Sequence, residues 1–490
     1  MKGVNELRGR GLALALALLA LALAGCASYE HKPHREDASQ VETPDYVLRF
    51  VESDDEGWFW NRKRADEAID LVERSARQMD TFVLVFVHGW HHSARCCDGN
   101  VEGFKATLTE LRKELSQPMY ANARSGLRSN LKVSSEFRIV GIYMGWRGRS
   151  LPGLLDYGTF WGRKSAAERV GENDMREFFV RLDQVYRTHQ KSREHATFLG
   201  LVTLGHSFGG QAVLRSVSAI FEQQLEHLSR APGYLRDSSP TSPPKEQQEQ
   251  FHGLGDLVIL VNPAVEASAY QRINALGRGI TYPDSQTPVL VTFSADNDKP
   301  RHTLFRLGRI AGEYLGGKPR KKDRVEKTME RNALGFYGEV GDQVTHRLKP
   351  VDPDDRLVAR TLEHKPEAAC SQGGRKEECS CEWYEWKENL ARKSQPDTLP
   401  AEVATADELG ALLPRVKQYD FAQRTVFDDV ELVPLAGATP FQPTFVATVS
   451  EELIEGHNGV FSGPFLRFLA SYIGFIEAKQ YLLTAEKKWR

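Results

Sequence analysis

The segment Gly205-His206-Ser207-Phe208-Gly209-Gly210 constrains this chain more than any other. It follows the apolar run 196–204 and precedes Ala212, Val213, Val217, Ile220 and Phe221, which recur at helical spacing. That order is a strand, a sharp turn and a helix. A serine in such a turn stands out at the C-terminal end of the strand. The flanking glycines are needed because a turn that tight has no room for neighbouring Cβ atoms. Ser207 is thereby singled out among 490 residues as a candidate nucleophile.

The rest of the chain supplies a frame for that turn. Strands are expected at 46–51, 81–87, 138–144, 196–204, 257–261 and 289–293. Helices are expected at 62–78, 101–115, 212–221 and 464–483. The run 81–87 is continuously apolar and β-rich, as in a strand buried on both faces. Strands alternating with helices predict an α/β fold with a mostly parallel, doubly covered sheet. In such a sheet the strand ends that carry sites gather on one edge.

A serine hydroxyl attacks poorly unless a base takes its proton, and acyl transfer needs donors aimed at the developing oxyanion. His88-Gly89-Trp90 closes the run 81–87, so the backbone N–H groups of Trp90 and Phe208 are the candidate oxyanion donors. An acid is expected after a later strand. Asp296 and Asp298 both follow 289–293, and Asp298 is favoured. The base is expected last. His457, in the Gly-rich stretch Glu455-Gly456-His457-Asn458-Gly459, fits better than His302, His346 or His364. His302 is too close to the acid in sequence, and the other two lie in irregular polar sequence. Gly145-Trp146-Arg147-Gly148 with Tyr157, Phe160 and Trp161 has two readings, a pocket lining or aromatic packing beneath a loop. Arg147 reads as a structural ion pair ahead of a substrate anchor.

Four of these motifs together resemble the α/β-hydrolase superfamily. More narrowly, they resemble a poorly characterised bacterial group. They are Phe86-Val87-His88-Gly89-Trp90, the Gly205–Gly210 segment, Ser294-x-x-Asn297-Asp298 and Gly456-His457-Asn458. The resemblance covers about residues 80–310 and 440–475. It implies an α/β-hydrolase fold, a Ser207–His457–Asp298 triad and no cofactor or metal. Gly459 departs from the acidic residue that other members often carry after His-Asn. The implied activity is hydrolysis of a carboxylic ester through an acyl-enzyme. The alternatives are an acyltransferase, thioesterase or amidase with the same triad, or a non-catalytic surface lipoprotein that keeps the fold to bind a partner.

The N-terminus has a basic start (Lys2, Arg8, Arg10), a short Leu/Ala run and Leu23-Ala24-Gly25-Cys26. This resembles a bacterial lipobox, with cleavage before a cysteine that becomes lipidated. The expected divisions are a signal peptide at 1–25, a lipidated cysteine and tether at 26–45, and a hydrolase core at 46–315. An insertion or cap then occupies 316–440, and the rest of the core 441–490. The expected location is the bacterial cell envelope, attached to the membrane through Cys26. Export permits disulfides, and Cys370 with Cys379 or Cys381 is a candidate pair. A zinc site at those three cysteines is disfavoured because no histidine stands at ligand spacing. With 64 basic and 66 acidic side chains the chain is near neutral, which argues against a nucleic-acid partner. The composition identifies no protein partner.

Overall fold

The run Asp80–Val87 is a strand in which every residue is buried. A strand sealed on both faces belongs inside a sheet with helices on either side. The computed structural model describes residues 33–35, 40–117, 136–149, 159–192, 197–230, 249–298, 300–306, 309–310, 323–336, 343–351 and 420–488. In chain order the strands are β1 Gln40–Glu42, β2 Val47–Glu52, β3 Asp80–Val87, β4 Phe137–Gly145, β5 Leu199–His206, β6 Leu257–Val261, β7 Leu290–Ala295, β8 His346–Pro350, β9 Thr425–Phe427, β10 Val430–Pro434 and β11 Thr444–Val449. The main helices are α1 Arg62–Gln78, α2 Gly99–Leu115, α3 Phe160–Glu172, α4 Asp174–Lys191, α5 Phe208–Arg230, α6 Ala267–Arg278, α7 Arg324–Arg331 and α8 Gly463–Lys488.

The strands form one sheet in the order β1-β2-β4-β3-β5-β6-β7-β11-β8-β10-β9. From β2 to β8 all neighbours are parallel. The antiparallel pairs lie at the two margins. The protein is therefore α/β with a mostly parallel sheet. The pleat of β3 divides its side chains between two cores. Val83, Val85 and Val87 join Val72 of α1, Phe178 of α4, Val213 of α5 and Ile273 of α6. Phe82, Leu84 and Phe86 face Phe104 of α2 and Phe465, Phe468 and Tyr472 of α8. Each such side chain contributes roughly 1.5–3 kcal/mol on burial.

Two expected boundaries are corrected. Strands β8, β9 and β10 fall within 316–440, yet they continue the sheet beyond β11 rather than form a cap. They satisfy backbone groups that an open edge would leave exposed. These strands are only three to five residues long, too short for an alternation to mark them. At the other margin, β1 lies inside the expected tether 26–45 and pairs with β2. Helices α3 and α4 also went unrecognised. Residues 1–25, Cys26, Tyr157, Cys370, Cys379 and Cys381 lie outside the described residues. Cys96 and Cys97 are both disulfide-bonded. No helix among the described residues is long and apolar enough to cross a membrane.

At the sheet edge opposite the Ser207 turn, two carboxyls are buried near the start of β5. Asp256 accepts hydrogen bonds from the Leu201 N–H (2.7 Å) and from the Tyr186 hydroxyl. Burial pushes it from 3.8 to about 7. Glu477 of α8 is raised well above its usual range by burial and by the Asp256 charge. Below about pH 4 both groups are protonated, folded or unfolded, and cost nothing. Between pH 4 and 7 the unfolded chain releases protons that the folded chain keeps, so stability falls as pH rises. Glu477→Gln, which cannot ionise, should raise the unfolding free energy at pH 8 by roughly 1–3 kcal/mol. It should change little at pH 4, as read from denaturant midpoints at both values.

Candidate active site

Strands β3 and β5 are neighbours, although the chain visits β4 between them. The connection from β3 departs to one side and that from β5 to the other. In open α/β sheets that divergence is where a crevice for ligands forms between the strands' C-terminal ends. Ser207 stands there, between the end of β5 and the start of α5, with φ at 56°. This is the left-handed region, costly for a serine. Three backbone hydrogen bonds hold it: Ser207 N–H to Val261 O, and Ala264 and Gln211 N–H to Ser207 O. The turn also needs glycine at 209, where a Cβ would lie 2.0 Å from the Val87 carbonyl oxygen.

Ser207 Oγ is 2.6 Å from His457 Nε2, and His457 Nδ1 is 2.7 Å from Asp298 Oδ2. The three side chains form one continuous hydrogen-bonded line. Asp298 is fully buried. Burial alone would raise its pKa, but the Arg301 guanidinium and the His457 imidazole overcome that and hold the carboxyl far below its ordinary range. Arg301 Nε is 3.2 Å from Asp298 Oδ2, and the Arg301 N–H donates to Oδ1 at 3.1 Å. Asp296 is instead partly exposed and 3.6 Å from Arg347. The structure thus brings Asp298, not Asp296, to the imidazole. His346 is in β8, with its ring 2.8 Å from the Phe421 carbonyl.

The loop carrying His457 is held by side chains that sequence reasoning passed over. Asn262, at the end of β6, donates to the carbonyls of His457 (3.0 Å) and Gly456 (3.3 Å) and accepts from Ala295 N–H (2.7 Å). His206 Nε2–H donates to the same His457 carbonyl at 3.0 Å. Asn297 accepts the Gly456 N–H at 2.8 Å. Gly456 has φ at 66°. Burial keeps His206 well below the usual histidine range, so it stays neutral. The signals were faint. Asn262 is a single polar residue ending an apolar strand, and Arg301 follows Asp298 by one helical turn.

The loop after β3 touches the serine turn directly, since a Cβ on Gly89 would lie 2.7 Å from Ser207 Cβ. Trp90 follows. Phe208 opens α5, where the first N–H groups have no acceptor within the helix and the dipole is positive. His88 braces this loop from below. Its Nδ1–H donates to Gly89 O (2.9 Å), and its Nε2 accepts the Trp146 N–H (3.0 Å). The Trp146 indole N–H donates to His88 O at 2.9 Å. Both ring nitrogens are thereby assigned for a neutral imidazole, which burial lowers to about 4. Trp146 accordingly packs beneath the loop. Arg147 pairs with Asp55, which also takes a bidentate contact from Arg163 (2.7 and 2.8 Å). Phe160 lies at the site, 5.1 Å from the Trp90 ring and 5.0 Å from Phe208.

Among the described residues no group of three or more His, Cys, Asp and Glu side chains is placed to hold a metal ion. No protein-family model, curated protein or solved structure matches the chain.

Arg301→Met would leave the Asp298 charge buried with its main counter-charge gone. It should lower the unfolding free energy by about 3–5 kcal/mol. Adding Asp298→Asn should recover part of that loss in the same denaturant titration. Strict additivity of the two changes would show that the pair does not interact.

Proposed function

We propose that the protein is a serine hydrolase of the α/β-hydrolase fold that cleaves carboxylic esters. The single observation supporting this reading is the unbroken line Ser207–His457–Asp298 at the crevice between β3 and β5. Three features make that line competent. Asp298 stays ionised and accepts His457 Nδ1–H, which leaves Nε2 free to receive the Ser207 proton. The imidazolium so formed is stabilised by the buried carboxylate. The Trp90 and Phe208 amides, on the two chain segments that meet at Ser207, are assigned to the oxyanion.

In this scheme Ser207 Oγ bonds to the substrate carbonyl carbon while His457 takes the hydroxyl proton. The tetrahedral intermediate collapses as His457 returns that proton to the departing alcohol, leaving an acyl-serine. Water, deprotonated by the same imidazole, then releases the acid and restores Ser207. The steps require no metal or organic cofactor. The Cys26 lipobox motif supports a second part of the proposal, attachment of the mature chain to a bacterial membrane through a lipidated cysteine.

A fluorophosphonate probe should label the protein and spare Ser207→Ala; equal labelling of the two would reject the nucleophile assignment. Against a short nitrophenyl ester, Asp298→Asn should lower kcat by about 10⁴-fold with KM little changed, the loss expected when the base takes the wrong tautomer. Asp296→Asn should keep kcat within about twofold. Product analysis with alcohol, thiol and amine acceptors separates hydrolysis from transfer.

A further inference from the structure

The first described residues after the proposed lipidation site are docked on the fold. The backbone N–H groups of His34 and Arg35 donate to the two carboxylate oxygens of Glu52, at 2.9 and 2.8 Å. Arg35 Nε–H donates to Ala94 O at 2.6 Å, and its guanidinium lies 4.2 Å over the Phe50 ring. Glu52 ends β2, and Ala94 belongs to the loop after β3 whose Gly89 abuts Ser207. The N-terminal segment therefore meets the sheet on the same edge as the triad.

Two exposed tryptophans stand beside that point. After Glu52 the chain turns back, Ser53 pairs with Phe59, and Trp60 N–H donates to Glu52 O at 2.9 Å. Extended backbone alternates its side chains. Phe59 turns inward against Phe178, with ring centroids 6.2 Å apart, and Trp58 and Trp60 face solvent at 54% and 36% exposure. Trp161, 38% exposed, adds a third ring at the start of α3, next to Phe160. An exposed indole is costly in water but suits a bilayer interface, where its ring is apolar and its N–H remains wet. Acidic Asp54 and Glu56 and basic Arg62, Lys63 and Arg64 flank the indoles, so the local charge is mixed and the indoles themselves supply the contact.

The spacing turns this patch into an orientation. Only residues 27–32 separate Cys26 from Pro33. A fully extended chain covers that gap in about 25 Å at most. A long tether would let the domain face any direction; this one brings Glu52 and its neighbours close to the anchor. We propose that the sheet edge bearing Ser207 is held against the lipid bilayer, with Trp58 and Trp60 seated in the headgroup layer, and that the acyl substrate is drawn from that membrane. The inference rests on the lipidation and hydrolase readings above.

The test uses the full-length protein reconstituted in phosphatidylcholine vesicles with brominated acyl chains, compared with Trp58→Ser/Trp60→Ser. Neither tryptophan belongs to the hydrolytic machinery, so the rate on a soluble nitrophenyl ester should be unchanged and reports that the variant is folded. Bromolipid quenching of tryptophan fluorescence should be strong in the wild type and mostly lost in the variant. Cleavage of a bilayer-resident ester should fall about tenfold. With Cys26 acylated, as read from the mass of the N-terminal peptide, equal quenching of the two proteins overturns the orientation and leaves the anchor standing. Unquenched wild type has the same meaning, and would direct attention to a protein partner for the tryptophans. An unacylated Cys26 removes the anchor and the orientation with it. A wild type that is quenched yet inert toward the soluble ester keeps the orientation and refutes the hydrolase reading.

Discussion

The closeness of the serine turn to the end of β3 is the constraint on which the rest of the site depends. Gly209 lies so near Val87 that no side chain fits between them, and a Cβ on Gly89 would likewise crowd Ser207. This contact forces two loops from adjacent parallel strands into one crevice. It also holds Ser207 in a backbone conformation that serine disfavours, stabilised by the Val261 carbonyl at the end of β6 and the Ala264 amide just after it. Relaxing either glycine would move the hydroxyl away from His457, because there is no slack in the turn to absorb a displacement.

Around that contact the protein uses buried neutral polar groups as braces. His88 ties the loop after β3 to the loop after β4. His206 and Asn262 converge on one carbonyl, that of His457, and Asn297 holds the preceding amide. Burial keeps both histidines uncharged, so they act through directed hydrogen bonds rather than through charge. The Asp298–Arg301 pair, in contrast, brings full charge into the interior directly behind the imidazole. The proposed base is thus located by its backbone and oriented by its ring nitrogens, through separate sets of partners.

The same edge gathers features unrelated to proton transfer. The docked residues 33–35, the outward Trp58 and Trp60, and the Trp161–Phe160 pair all lie at this edge. Glu52 links them. Its carboxylate receives the N-terminal segment, and its carbonyl receives Trp60. An anchored enzyme whose substrate is also in the membrane would need this arrangement, since the crevice must face the surface that holds both.

Much of this was legible in the sequence. The strands β3, β4 and β6 and the helices α1 and α2 follow from periodicity, because burial on two faces or on one stripe leaves a local imprint. The serine turn and the chain order of serine, acid and histidine follow from motifs whose local backbone demands are strict. Long-range pairing leaves no such imprint. That β8 to β10 extend the sheet, that residues 33–35 and 40–42 dock on the fold, and that Asn262, His206 and Arg301 support the triad depend on contacts between segments far apart in the chain. The sequence by itself determined the element types and the candidate nucleophile, because tight turns and amphipathic periods are local. Only the tertiary structure decided between Asp296 and Asp298. The two are separated by a single residue, and what distinguishes them is which carboxylate the end of β7 buries against an imidazole 159 residues away.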